Sequence, residues 1–187
     1  GGGHNQGTID NSGEFTVSGG VSGTLFINQE TVTNRSGATM TIGKHDSWIF
    51  DNQKLVENEG NLNISEGKGT GAINRQGATI RNKAGGTLYM TGTLKTAFRN
   101  GGLLENYHLV DFNGTPDTCF YNLPTGEIKN EATFRVSGTN RGIINLGKFT
   151  HGSAAILDTY SIGGIGFKNG GTFLSATGCV INSVSMN

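Results

Sequence analysis

Residues 9–17 read Ile9-Asp10-Asn11-Ser12-Gly13-Glu14-Phe15-Thr16-Val17. An apolar residue stands two positions before the asparagine, a glycine stands two positions after it, and polar and apolar residues then alternate. Asparagine and glycine both tolerate positive φ, so this pair indicates a turn. Alternation of this kind is typical of a half-buried β-strand. The stretch therefore predicts a corner followed by a strand.

The same corner recurs along the whole chain. Each copy has an apolar residue two positions before an asparagine, and successive anchor asparagines are 18 to 24 residues apart. Units of about 23 residues that hold two or three short strands have the length of one coil of a parallel β-solenoid, in which every strand pairs with its copies in the neighbouring coils. The anchors are Asn11, Asn34, Asn58, Asn82, Asn100, Asn122, Asn145 and Asn169.

The fold class that follows is all-β, a parallel β-helix (β-solenoid) of about eight coils of roughly 23 residues. We expect the anchor asparagines to form a ladder in which each amide bonds the next along the axis. An up-and-down barrel or a β-sandwich stays open as the alternative fold. The side chains expected to point inward include Phe15, Val17, Leu62, Ile64, Leu88, Met90, Ile128, Phe149 and Phe173.

Composition agrees with strands and turns. The chain has 187 residues, of which 32 are glycine and only 2 are proline, and its formal net charge is 0. Few prolines exclude collagen, and a neutral chain without a cluster of Lys and Arg argues against nucleic acid as a partner. Because no apolar run is long enough to span a bilayer, we expect no membrane insertion of this segment. We expect residues 1–187 to be a single solenoid domain and, because the first residue is not Met, a fragment of a longer protein.

The least regular stretch covers about residues 105–125 and contains both prolines, Pro116 and Pro124. Proline interrupts ladder hydrogen bonding, so a loop is expected to leave the coil here. Binding residues are often placed on loops that a rigid scaffold supports. Trp48 is expected to pack in the core. The residues predicted to form a binding patch are Tyr107, His108, Asp111, Asp117 and Tyr121.

The sequence predicts no catalytic residue, no metal site and no cofactor. The four histidines are scattered, and no CxxC or Cys/His cluster with zinc-ligand spacing is present. Cys119 and Cys179 are separated by more than two coils, which is too far along the axis for a disulfide, so both are expected to be thiols. Hydrolysis of a polysaccharide needs two converging carboxylates, and the sequence alone does not show such a pair.

Repeats such as Gly7-Thr8-Ile9-Asp10-Asn11-Ser12-Gly13 resemble the β-helical passenger regions of bacterial type V secreted proteins, that is, autotransporter adhesins and filamentous-haemagglutinin-like exoproteins. The resemblance lies in the style of the repeat and covers most of the chain. It implies an elongated adhesin that is secreted or exposed on the bacterial cell surface and contacts a host or a neighbouring cell. It implies no particular site residues.

The resulting hypothesis is a non-catalytic adhesin or interaction module whose partner is a surface glycan or protein of a host or bacterial cell. Two alternatives stay open: a β-helix that binds or degrades polysaccharide, as in a phage tail spike or a lyase, and a structural stalk segment. Open solenoid ends expose strand edges, so a homo-oligomer is a further possibility.

Overall fold

The computed structural model describes residues 2–19, 23–92, 95–114 and 117–185, and in this part of the chain all secondary structure is β. Every strand pairing is parallel. The strands are β1 (Gly3–Asn5), β2 (Thr8–Asn11), β3 (Glu14–Ser18), β4 (Thr24–Asn28), β5 (Thr31–Asn34), β6 (Thr39–His45), β7 (Trp48–Asn52), β8 (Leu55–Asn58), β9 (Asn61–Gly67), β10 (Ala72–Asn74), β11 (Thr79–Asn82), β12 (Thr87–Thr91), β13 (Thr96–Asn100), β14 (Leu103–Asn106), β15 (Leu109–Asn113), β16 (Thr118–Asn122), β17 (Glu127–Asn130), β18 (Thr133–Asn145), β19 (Lys148–His151), β20 (Ile156–Asn169), β21 (Thr172–Ser175) and β22 (Val180–Ser185).

The strands form three faces around one core. Face 1 contains β1, β4, β7, β10, β13, β16 and the second halves of β18 and β20. Face 2 contains β2, β5, β8, β11, β14, β17, β19 and β21. Face 3 contains β3, β6, β9, β12, β15, the first halves of β18 and β20, and β22. Corner 1 joins face 1 to face 2, corner 2 joins face 2 to face 3, and corner 3 leads back to face 1.

The predicted parallel β-solenoid is confirmed. Eight strands stack on face 2, which makes seven steps from coil to coil. Equivalent asparagines at corner 1 are 22 to 26 residues apart, so the coil length also agrees with the sequence. Among the described residues, no helix has the length and apolarity needed to cross a membrane.

The solenoid has two asparagine ladders, where the sequence analysis expected one. At corner 1 each side-chain Nδ2 donates to Oδ1 of the next asparagine over 2.7–2.9 Å. Corner 2 repeats this geometry over 2.7–2.9 Å from Asn11 to Asn130. Ladder 1 comprises Asn5, Asn28, Asn52, Asn74, Asn100, Asn122, Asn145 and Asn169. Ladder 2 comprises Asn11, Asn34, Asn58, Asn82, Asn106, Asn130 and His151.

The predicted anchor series therefore mixed two corners. Its first four members lie at corner 2 and its last four at corner 1. The shift falls between Asn82 and Asn100, where the spacing of 18 residues is one face short of a complete coil. The two corners look alike locally because both bury an asparagine amide two positions after an inward apolar residue.

The core is a set of side-chain columns, because parallel pairing in register places each inward residue on its copy. On face 1, Phe98 and Phe120 stack with ring centroids 5.2 Å apart, and Phe112 from face 3 stacks on both. The inward residues predicted from alternation on faces 2 and 3 do point into this core, which confirms the assignment. The face 1 column is Phe26, Phe50, Ala72, Phe98, Phe120, Ile143 and Phe167.

The prediction of an irregular loop over about residues 105–125 is wrong for most of that stretch. Most of its described residues belong to strands, namely Leu103–Asn106, Leu109–Asn113 and Thr118–Asn122. Pro116 lies outside the described residues, and Pro124 occupies a turn at corner 1, where the chain leaves a strand and its N–H is not needed by a ladder. Trp48 was also predicted wrongly, since it begins β7 pointing outward with 36% of its surface exposed.

Candidate functional site

The five residues predicted to form a binding patch do not lie together. Tyr107 and His108 are at corner 2, and Asp111 faces outward from face 3. Asp117 precedes β16 at corner 3, and Tyr121 points outward from face 1. Nearness in sequence did not translate into one patch because the chain passes from corner 2 over face 3 to face 1 within these residues.

The residues at corner 2 serve the coil itself. The backbone N–H of Tyr107 donates to the carbonyl of Asn82, and the N–H of His108 donates to Oδ1 of Asn106 over 3.3 Å. Nδ1 of His108 lies 3.2 Å from the carbonyl oxygen of Gly86. Tyr107 and His108 are both exposed at the surface, so this pair encloses little that could hold a ligand.

Asp111 belongs to a polar column on face 3. Arg135, its neighbour in the next coil, places Nη1 3.6 Å from Oδ2 of Asp111. Oδ1 of Asp111 is buried without a hydrogen-bond partner among the described residues. Burial raises the pKa of Asp111, and the positive charge of Arg135 opposes that rise. The carboxylate is isolated in this column, because the nearest acid along it, Asp158, is two coils away.

Asp117 and Tyr121 lie on a different surface, which we call the face 1 groove. The groove has two hollows that share the side chain of Arg99. The larger hollow encloses about 430 Å³, and the smaller one encloses about 190 Å³. Trp48, Ile73, Arg75, Arg99, Gly101, Leu123 and Thr125 line the larger hollow, and Thr96, Arg99, Asp117, Thr118, Tyr121 and Arg141 line the smaller one.

A glycine produces the larger hollow. The residue that follows the ladder 1 asparagine carries a side chain in the preceding and following coils, whereas after Asn100 it is Gly101. A Cβ on Gly101 would lie 3.3 Å from Cδ1 of Leu123 and 3.4 Å from the backbone N of Gln76, so both neighbours line the gap. Thr125 is fixed beside it, since its hydroxyl donates to the Gly101 carbonyl over 2.9 Å. Gly101 and Thr125, which line the larger hollow, are therefore held in fixed positions.

Two of the three arginines of the groove already hold a carboxylate. Arg75 donates from Nε and Nη2 to the buried Asp51, both at 2.8 Å, and these hydrogen bonds raise the pKa of Arg75. Arg141 donates to Asp117, with its Nε 3.2 Å from Oδ1. The carboxylates of the groove are thus occupied by cations of this same chain.

Arg99 is different, because it forms no ion pair and no side-chain hydrogen bond with any described residue. It lies between Ile73 of the preceding coil and Tyr121 of the following coil on the outward side of face 1. The five other arginines of the described chain each hold an acid: Arg35, Arg75, Arg81, Arg135 and Arg141.

Face 2 shows how charged side chains are usually arranged in this solenoid, with acids and bases alternating from coil to coil. Arg81 lies between two acids of the neighbouring coils, 3.0 Å from Glu57 and 2.7 Å from Glu105. Lys129 continues the alternation 3.4 Å beyond Glu105. Opposite charges in successive coils neutralise one another on this face, so it presents no uncompensated charge comparable with Arg99.

No group of three or more His, Cys, Asp or Glu side chains in the described part of the chain could hold a metal ion. The chain matches no protein-family model and no curated protein, and its fold matches no solved structure.

Sequence reasoning missed Ile73, Arg75, Arg99 and Gly101. The sequence does contain a sign of the hollow, in the column of residues that directly follow the ladder 1 asparagines. These residues include Gln29 and Gln53 in earlier coils, whereas the residue after Asn100 is Gly101. Reading that column requires the two ladders to be separated first. The mixed anchor series placed Asn100 in line with Asn82 and so concealed the glycine gap.

Proposed function

We propose that this solenoid is a non-catalytic adhesin of the bacterial cell surface that binds an extended glycan of a host or neighbouring cell along the face 1 groove. The observation that carries the proposal is the groove itself. It combines an exposed indole, apolar side chains and an unpaired arginine on an otherwise regular face. Apolar floors with a few placed polar groups are typical of ligand sites, and hollows of about 300–1,000 Å³ are their usual size.

The shape of the groove favours a polymer. Trp48, Ile73, Arg99 and Leu123 belong to four successive coils. Because parallel strands are spaced by about 4.8 Å, the hollow extends along the axis for about 14 Å. A track of this length on a stiff stack of coils suits a chain of sugar units that lies parallel to the axis.

The side chains of the groove support binding more than bond cleavage. Asp117, the carboxylate that lines it, is held by Arg141, and the buried Asp51 beside it is held by Arg75. A carboxylate whose oxygens are bound by an arginine is not free to act as the general acid or base that bond cleavage needs. Trp48 and Tyr121 offer flat rings with a polar edge, a combination suited to an interface that is partly apolar and partly wet.

The cellular setting rests on the repeat style. The coils resemble those of bacterial type V passenger regions, and such regions are secreted and displayed on the cell surface. A rigid solenoid would hold the groove away from the cell that carries it. The host or bacterial glycan that it meets there is the partner we propose.

A glycan array combined with a reducing-end assay tests the proposal. We expect the wild-type chain to bind extended glycans without releasing reducing ends, and Trp48→Ala to weaken binding at least tenfold. Tyr107→Ala is the matched control, since Tyr107 is an exposed aromatic residue at corner 2 and should leave binding unchanged. Equal loss in both variants, or release of reducing ends that disappears in Asp111→Asn, would contradict the proposal.

A further inference from the structure

We infer that the glycan bound in the face 1 groove is acidic and that its anionic substituent, a carboxylate or a sulfate ester, is seated on the guanidinium of Arg99. This inference rests on the proposed function and adds the chemical class of the ligand. It starts from the one arginine of the described chain that lacks a carboxylate partner.

The charge of Arg99 is not compensated by its surroundings. In its outward column the preceding residue is Ile73 and the following residue is Tyr121, so neither adjacent position offers an acid. Asp51, two coils before Arg99 in this column, and Asp117 in the smaller hollow each accept hydrogen bonds from another arginine. The groove therefore carries one net positive charge, located at the point where its two hollows meet.

The chemistry of the guanidinium defines what can sit there. Its planar fork donates two parallel N–H bonds to a carboxylate or to a comparable pair of oxygens, and this geometry makes arginine selective for such anions. Arg99 is half-buried and lies between the positions of Ile73 and Tyr121 in this outward column. A sugar ring in contact with the apolar floor would place its acidic substituent within reach of this fork.

Two further arginines strengthen the preference of the groove for an anionic ligand. The ligand does not have to neutralise them, because each already has a carboxylate partner. Arg75 and Arg141 lie on either side of Arg99 along the groove. Their carboxylate partners keep them in position at the edges of the two hollows. A neutral glycan would leave the charge of Arg99 without a partner, and a basic one would be repelled.

The test compares polygalacturonate, its carboxyl-reduced neutral form, dextran sulfate and dextran as probes of the whole chain by surface binding. We expect the acidic probes to bind at least tenfold more tightly than their neutral counterparts. Binding of polygalacturonate indicates a carboxylate as the substituent, and binding of dextran sulfate alone indicates a sulfate ester. Arg99→Gln should abolish the difference between acidic and neutral probes, and Arg99→Lys should restore part of it.

Lys168→Gln is the matched control, because Lys168 is exposed in the same outward column and its loss changes the net charge equally. Its binding should equal that of the wild type. Since Arg99 has no partner in the fold, Arg99→Gln should also unfold at the wild-type temperature, which separates lost binding from lost structure. Equal binding of acidic and neutral probes would overturn this inference and leave the proposed function intact, whereas binding to no glycan would overturn both.

Discussion

The side-chain Nδ2 of Asn130 lies 3.1 Å from Nδ1 of His151, at the place where ladder 2 would otherwise continue with another asparagine. An amide Nδ2 can only donate, so Nδ1 accepts and the ring proton is on Nε2. Nε2 lies 3.3 Å from the carbonyl oxygen of Val180, the group that an asparagine amide would reach at this position. The neutral imidazole thus reproduces both hydrogen bonds of a ladder asparagine.

Acid should weaken the ladder at this histidine. Burial lowers the pKa of His151, so the unfolded chain binds a proton more readily than the folded one. The stability that the neutral ring contributes is present above its ordinary pKa of about 6.5 and is lost as the pH falls below that value. We expect the denaturation midpoint to decrease from pH 7 to pH 5.

His151→Asn should remove this part of the pH dependence. An asparagine can accept from Asn130 and donate to Val180, so at pH 7 the variant should be within about 1 kcal/mol of the wild type. At pH 5 it should be the more stable protein in denaturant unfolding. His4→Asn, at an exposed histidine of the first coil, should retain the wild-type profile. An unchanged profile in His151→Asn would show that another group is responsible.

The interior of a ladder should be far more sensitive than its surroundings. Asn82 accepts from Asn58 over 2.8 Å and donates to Asn106 over 2.9 Å, and all three are buried. Asn82→Ala leaves one N–H of Asn58 without an acceptor and removes the donor that Asn82 supplies to Oδ1 of Asn106, and a buried group left without its partner costs about 1–3 kcal/mol. We expect a loss of about 3 kcal/mol or more in the free energy of unfolding.

Asn63→Ala provides the comparison. Asn63 points outward from face 3 in the column of Thr41 and Tyr89, and the described structure gives its side chain no hydrogen bond. Its loss should change stability by no more than about 0.5 kcal/mol. If both variants lost the same stability, the ladder would contribute nothing beyond the asparagine side chain itself.

The fold could be predicted from the sequence because each coil repeats the same local pattern of residues. An inward apolar residue, a buried amide and a turn can be read from the residues around Asn11 or Asn58 alone. The alternation also assigned Leu62 and Ile64 to the core and Tyr121 to the surface. These features depend only on neighbours along the chain.

The groove could not be predicted in the same way, because it depends on which residues meet between coils. The hollow requires Gly101 to lie between Gln76 and Leu123, which are about a coil away in either direction. Two similar corners in every coil made the register ambiguous, and a single slip after Asn82 hid this arrangement. Trp48 likewise has an apolar sequence context, and only the folded structure shows that it is exposed.

Two adjacent glycines should lose very different amounts of stability on substitution by alanine. A Cβ on Gly102 would lie 2.2 Å from the carbonyl oxygen of Ala78 and 2.3 Å from that of Arg75, so Gly102→Ala forces the backbone of two coils apart. We expect it to cost about 3 kcal/mol. On Gly101 the nearest atom is the flexible end of Leu123 at 3.3 Å, so Gly101→Ala should cost less than about 1 kcal/mol in denaturant unfolding.

Gly101→Gln tests whether the groove binds the glycan without changing the stability of the fold. Glutamine is the residue at this corner position in the coils of Gln29 and Gln53, so the backbone accommodates it. The side chain would fill the hollow beside Thr125. We expect at least tenfold weaker glycan binding, measured on the same surface as the wild type, with a nearly unchanged unfolding midpoint. Wild-type affinity in this variant would place the ligand elsewhere on the solenoid.

Asp111 should destabilise the folded chain at neutral pH. Burial raises its pKa above the ordinary value of about 3.9, so the folded state favours the protonated acid. The associated stability is present below that value and is lost as the pH rises through the folded pKa. Asp111→Asn removes the buried charge, and Arg135 keeps Asp158 at 3.9 Å. We expect the variant to equal the wild type near pH 4 and to become the more stable protein, by up to about 1 kcal/mol, at pH 7.

Asp158→Asn is the matched comparison for this effect, because Asp158 occupies the same column one coil beyond Arg135 and is similarly exposed. Its Oδ1 accepts from Nδ2 of Asn182 over 2.7 Å, so its carboxylate has the partner that Oδ1 of Asp111 lacks. Replacing it should lower stability at pH 7 and leave the pH dependence due to Asp111 in place. Equal responses of the two variants in pH-dependent unfolding would mean that burial of the unpaired oxygen does not set the behaviour of Asp111. The two substitutions are expected to change the free energy of unfolding at pH 7 in opposite directions, because Oδ1 of Asp158 has a hydrogen-bond donor and Oδ1 of Asp111 has none among the described residues. A buried carboxylate oxygen stabilises the fold only when a donor faces it.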